Sequence, residues 1–269
     1  MVLNAYIVLL FVTFLFPLEF VVAPYLQNST PNSIYILWET DSNSDSQVEW
    51  GSSIFLGEIT VGTSFTNSGS SQIHTVLLSD LASDTRYYYR AVTSSINSQI
   101  YNFKTPPDPS SESSFKIVAM SDMQRDSSNP DKFYEIIHDG VIDYLSGQRG
   151  RDLASDLAMV LVTGDLVDNG GSYYQWNSHF FEPASDLFSY VPMYPVFGNH
   201  ENNTDYFIKY FHLPDNGTPG YEEHWYYTDY SNLRIIGLDS NAGYRIQSQL
   251  DWLEDVLTDA CNDEYIDFV

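Results

Sequence analysis

From Pro24 to about Thr105, apolar and polar residues alternate in short runs. Ser33-Ile34-Tyr35-Ile36-Leu37-Trp38, Gln47-Val48-Glu49-Trp50-Gly51 and His74-Thr75-Val76-Leu77-Leu78 each read as a strand. Thr85 to Val92 is the strongest run, with Tyr87, Tyr89 and Ala91 on one face, and Ile100-Tyr101-Asn102-Phe103 closes the set. Turns rich in Ser, Asn, Asp and Gly separate them, as in a β-sandwich. Thr105-Pro106-Pro107-Asp108-Pro109-Ser110-Ser111 breaks the alternation. Three prolines and a serine cluster predict a short, stiff linker over residues 106–113.

Beyond it the grammar changes. Phe115 to Met120 predicts a buried strand, and Asp131 to about Ser146 carries apolar residues at helical spacing (Phe133, Ile136, Ile137, Val141, Tyr144). Leu157 to Val162 is a continuous apolar strand, followed by a helical region near Tyr173 to Leu187 and a strand at Met193 to Phe197. Leu233 to Leu238 predicts another strand, Gln247 to Thr258 a helix with Leu250, Leu253 and Leu257 on one face, and Glu264 to Val269 the start of one more strand. Strands alternating with helices predict an α/β layered domain over residues 114–269.

Residues 2–16 form an apolar run that ends at Pro17 and Glu19, with Val21-Val22-Ala23 where a signal peptidase cuts. Residues 1–23 therefore read as a signal peptide and the protein as secreted; an uncleaved anchor is the alternative and the one route to a membrane. The formal net charge of −25 argues against nucleic acid and anionic membranes as partners. Cys261 is the single cysteine, so no intrachain disulfide framework exists. Oligomeric state is left open.

Ligands of α/β sheets sit beyond the carboxyl ends of strands. After the first strand comes Ser121-Asp122-Met123-Gln124, after the second Gly164-Asp165-Leu166-Val167-Asp168, after the third Gly198-Asn199-His200-Glu201. Taken singly, such segments are ordinary turns and helix caps. In series they bring acids, amides and an imidazole to one edge of a sheet.

This series resembles the calcineurin-like metallophosphoesterases. The N-terminal strands, with Trp38 and the corner Leu81-Thr85-Tyr87, resemble an Ig-like or fibronectin type III sandwich, and the combination is most similar to the purple acid phosphatase branch. The resemblance implies hydrolysis of phosphate esters, most simply monoesters, on a dinuclear metal site. It implies Asp165 as the bridging carboxylate, Asp122 on the first metal, Asn199 on the second, Gln124 as a weaker oxygen ligand, and His200 on the phosphate or the leaving alcohol. Asp, Asn and His suit Fe, Mn or Zn. A phosphodiesterase or nucleotidase is the nearest rival activity, and a non-catalytic surface protein with a degenerate phosphoesterase part the rival from another class.

The sequence departs from the family pattern in three places. Gln124 stands where many members have His. Asp168 stands where purple acid phosphatases have a metal-binding Tyr. The family's later histidine motifs lie beyond Val269, so the expectation is an incomplete domain and a nearly inactive chain. Of the six histidines, only His200 lies in a matching motif. His74 belongs to the β-domain and His138 to a helix. His179, His212 and His224 sit among aromatics and read as packed or surface residues. Tyr173-Tyr174-Gln175-Trp176 and Trp225-Tyr226-Tyr227 read as packing rather than pocket lining.

Overall fold

The computed structural model describes residues 17–269 apart from 95, 112, 126, 150, 151, 202 and 203. The apolar run of residues 2–16, on which the signal-peptide and anchor readings rest, lies outside them.

The N-terminal part is a β-sandwich. One sheet has the order β1 (Phe20–Thr30), β2 (Ser33–Thr40), β6 (Gln72–Leu78), β5 (Thr63–Thr66). The other runs β4 (Glu58–Val61), β3 (Gln47–Gly51), β7 (Arg86–Thr93), β8 (Ile96–Asn97), with β9 (Tyr101–Lys104) also on β7. Trp38, Ile36, Val48, Val76, Tyr89 and Phe103 fill the space between them. The Tyr87 hydroxyl accepts the Ala82 N–H at 2.9 Å, which pins the predicted corner.

Strand β1 extends the domain upstream of the expected start at Pro24. Phe20 pairs with Thr40 and Val22 with Glu39, and Val22 is buried. The Val21-Val22-Ala23 triplet lies within this strand, and a cut after Ala23 would remove the first four residues of β1.

The sheet β1-β2-β6-β5 is covered on both faces. Ile34, Ile36 and Trp38 point into the sandwich, whereas Val22, Tyr25, Leu37 and Ile73 join the core of the second domain. The alternation expected over residues 33–38 gives way to burial on two sides, which is why residues 34–38 include no charged or amide side chain. Polar contacts cross the same interface. Gln27 Nε2 donates to the Met193 carbonyl (2.8 Å), Ser189 Oγ to the Pro24 carbonyl (2.6 Å), and Tyr89 Oη to the Ser189 carbonyl (2.7 Å). Glu39 is fully buried and accepts from Tyr173 Oη (3.0 Å), Tyr210 Oη (2.9 Å) and Asn67 Nδ2 (2.9 Å).

The second part is α/β. Strands β10 (Ile117–Met120), β11 (Met159–Val162) and β12 (Met193–Pro195) form a parallel sheet in that order. Two helices cover it. One runs through Lys132–Glu135, a π-helical stretch Ile136–Ile142, and Asp143–Arg149; the other through Tyr173–Gln175, a π-helical stretch Trp176–Phe181, and Glu182–Phe188. β10 is not buried as expected. It lies at the sheet edge, with Val118 and Met120 against the core but Ile117 and Ala119 exposed.

Leu233–Gly237 (β14) forms an antiparallel pair with β13 (Tyr226–Tyr230), outside the parallel sheet. Glu264–Val269 is not a further strand; Phe268 alone bridges to Leu233. The final helix, Gln247–Asn262, buries Gln249, Val256 and Ala260, while Leu250 and Leu257 stay exposed. Buried Arg234 reaches it at the Val256 carbonyl (3.4 Å) and Asp259 (2.7 Å). No described helix is long and apolar enough to cross a membrane.

Candidate active site

The carboxyl ends of β10, β11 and β12 release three adjoining loops. Asp122 and Asp165 both adopt left-handed backbone, at φ 59° and 54°, and Gly164 before the latter has φ 94°. Such a conformation costs a non-glycine residue on the order of 1 kcal/mol and concentrates where a side chain must be aimed. The loops are stitched through the backbone. The Met123 N–H donates to the Asp165 carbonyl at 3.0 Å and the Asp122 N–H to the Gly164 carbonyl at 3.4 Å. The His200 N–H donates to Asp165 Oδ1 at 3.1 Å, so the bridging candidate is tied to the Asn199-His200 turn.

Glycine permits the approach. A Cβ on Gly164 would lie 2.6 Å from the Gly198 Cα, and one on Gly198 would lie 2.2 Å from both the Asp165 N and Oδ1.

Glu201 fastens the two loops together. Its carboxylate is fully buried; Oε1 accepts the N–H groups of Leu166 (2.8 Å) and Val167 (3.3 Å), Oε2 those of Asp165 (2.9 Å) and Gly198 (2.8 Å). Burial pushes its pKa up, and the four N–H bonds pull it back. Sequence reasoning gave Glu201 a place in a motif but no task. Its fixed offset from Gly198 was the only signal.

His200 is about one-third exposed, and its Nδ1 lies 2.8 Å from the Asp168 carbonyl. That bond raises its pKa, with the Asp165, Asp168 and Glu201 carboxylates adding to the rise. Nδ1–H donating to a carbonyl fixes the orientation of the ring. Asp122 and Asn199 are exposed and Asp165 half-buried. Gln124, in the amide orientation its surroundings satisfy, donates Nε2 to the carbonyls of Asp165 (3.0 Å) and Asp122 (3.3 Å). Its nitrogen braces the loops, and only Oε1 is left as a ligand atom.

The structure also sorts the remaining histidines. His138 stacks on Tyr134, His212 packs against Tyr35, and His74 lies buried between Thr40 and Ser46. His224 pairs with buried Asp239 at 2.8 Å and stacks on Phe197, while Asn241 reaches the Gly198 carbonyl at 3.4 Å. This supports the Gly198 turn from its far side. His179 is different: with Asp122 and Gln124 it lines a cavity of about 180 Å³. No sequence signal could have found it, because the contact is made by a helix packing beside β10. Trp176 donates to the Gly170 carbonyl (2.8 Å) and Trp225 is fully buried, so both are packing residues.

Asp122, Asp165 and Asn199 offer oxygen donors on adjoining loops, the right chemistry for part of a metal centre. Among the described residues, no group of three or more His, Cys, Asp or Glu side chains is arranged to hold an ion. These donors therefore fit one wall of a dinuclear site and do not by themselves enclose two ions.

Residues 115–268 match the family model described as calcineurin-like phosphoesterase. The chain belongs to that family. Residues 21–105 match the N-terminal domain of purple acid phosphatases. No curated protein matches the chain. Among solved structures, purple acid phosphatase PPD1 from yellow lupin (Lupinus luteus) seeds shares the fold at TM-score 0.66 and 21% identity, over 88% of this chain and 48% of that one. A structure of PhoD is similar at TM-score 0.55 and 13% identity, over 82% and 52%. The chain spans about half the length of these two proteins.

Proposed function

We propose that this chain carries the phosphate-facing loops of a phosphate-ester hydrolase, with phosphomonoesters as the substrate class. The observation that carries the reading is the junction at Asp165: a carboxylate in left-handed backbone, tied to the His200 N–H and locked by Glu201 to the Gly198 turn. Turn-forming chemistry alone does not require a buried carboxylate with four backbone donors. The family match and the lupin phosphatase fold support the same reading.

Asp165, Asp122 and Asn199 would hold cations of the Fe, Mn or Zn type, with Gln124 Oε1 as an added oxygen donor. Bound cations at such a site polarise phosphoryl oxygens and acidify water. The chain's own residues do the rest. His200, oriented by the Asp168 carbonyl, presents Nε2 to a phosphate oxygen or to the departing alcohol. Asp168 offers a carbonyl here and no phenolate, so an iron-loaded protein is expected to lack a strong visible charge-transfer band.

The test is a pair of variants in the full protein. Asp165→Asn is expected to lower metal content and reduce turnover of an aryl phosphate by at least about a hundredfold. His200→Ala is expected to lower turnover with metal content kept. Full metal occupancy in Asp165→Asn would sink the assignment. Export is also proposed from the apolar run of residues 2–16; recovery of the protein only from the cytosolic fraction would refute it.

A further inference from the structure

The cavity beside Asp122 opens at the carboxyl end of β10, where the phosphate-facing loops begin. Its volume is about 180 Å³. An apolar cavity of roughly 150 Å³ is large enough for a benzene ring. Met123, Phe133 and Pro183 give it apolar walls, and Gln124, Arg125 and His179 give it polar ones.

Two of these polar groups are short of partners. Arg125 makes one ion pair among the described residues, with Asp131 at 4.0 Å, and its side chain is 42% exposed. Three other arginines, Arg86, Arg90 and Arg234, are held far more tightly, by carboxylates at 2.6 to 2.9 Å. His179 Nδ1 is buried and, among the described residues, has no hydrogen-bond partner. A guanidinium here is also conspicuous in a chain with 11 basic and 36 acidic residues.

We propose that this cavity receives the alcohol half of the substrate and selects phosphate esters whose alcohol carries a second anionic group on a compact apolar body. This rests on the phosphoesterase reading above. With phosphorus at the Asp122 edge, the carbon body lies between Met123, Phe133 and Pro183. The second anion meets the Arg125 guanidinium, which favours planar, bidentate partners. His179 closes the wall beside it. The selectivity arises from attraction in a molecule that otherwise repels anions, so it weakens with salt.

Three rigid probes test it on the full protein in Mn²⁺ buffer by calorimetry: phenylphosphonate, 4-carboxyphenylphosphonate and benzene-1,4-diphosphonate. The last two are expected to bind at least about tenfold tighter than the first, and their ranking tells carboxylate from phosphate as the preferred second group. Arg125→Gln is expected to bring all three within about twofold, with circular dichroism unchanged. Equal affinities in the parent protein, no binding of any probe, or an advantage that survives Arg125→Gln would overturn the pocket. Hydrolysis of phenyl phosphate is scored separately. Turnover with equal probe affinities refutes the pocket alone. A retained anionic preference without turnover of any ester refutes the hydrolase reading and leaves the pocket standing.

Discussion

At the scale of single residues, two buried groups decide the most. Glu201 accepts four backbone N–H groups from two loops. Glu201→Ala leaves those donors without a partner in a site closed to water, and the expected loss is about 3 kcal/mol or more. Urea denaturation checks it, and Glu201→Gln, which keeps one acceptor oxygen, is expected to recover part of the loss. His74 is the second. Burial lowers its pKa to about 4, and it sits between the hydroxyls of Thr40 and Ser46. Above pH about 6.5 the ring is neutral folded and unfolded, and it costs nothing. As pH falls from there to about 4, the unfolded chain takes up a proton that the folded ring refuses, so stability drops by up to about 3 kcal/mol. His74→Gln is expected to flatten that acid limb in denaturation curves at pH 7 and pH 5. An unchanged slope would show that other groups titrate there.

Among the structural elements, the site depends on how closely β11 and β12 deliver their loops. Gly198→Ala would place a Cβ 2.2 Å from Asp165. The loops must part to accept it, and Asp165 then loses its hold on the His200 N–H. The expected outcome is at least about tenfold weaker metal binding with helix content retained, read by metal titration and circular dichroism. Much of this arrangement was legible in the chain. The strand-then-Asp and strand-then-Gly-Asn-His spacing located the loops, since a parallel sheet puts all such ends on one edge. What stayed hidden was whatever depends on which faces are covered. β10 reads as buried by composition, yet its outer face is open. Residues 247–258 read as a helix with its leucines on one face, yet Val256 and Ala260 are the apolar side chains it buries, and Arg234 bonds the Val256 carbonyl. Gln124 reads as a weaker ligand from its place in the family motif, and its amide nitrogen is spent on two carbonyls. None of these is set by local periodicity; each is set by a partner far along the chain.

Across the whole molecule, the β-sandwich and the α/β domain share one interface rather than a tether. Glu39 illustrates it, joining Tyr173 and Tyr210 of the second domain to Asn67 of the first. Glu39→Ala strands two phenol hydroxyls and an amide in the interior, an expected cost of about 3 kcal/mol. The two domains are expected to melt in a single calorimetric transition in the parent protein. Two transitions there would show that the domains are energetically independent.

The doubly covered sheet has a consequence for how the protein is made. Tyr25 leaves the ribosome early, but the carbonyl it binds, on Tyr210, follows 185 residues later. At about 5–20 residues per second, the nascent chain waits roughly 10 to 40 s with Val22, Tyr25, Leu37 and Ile73 bare. During that interval one side of the sandwich is a sticky apolar wall. The protein's need for a holdase should therefore fall on its first hundred residues, before any loop at the carboxyl ends of β10, β11 and β12 has been synthesised.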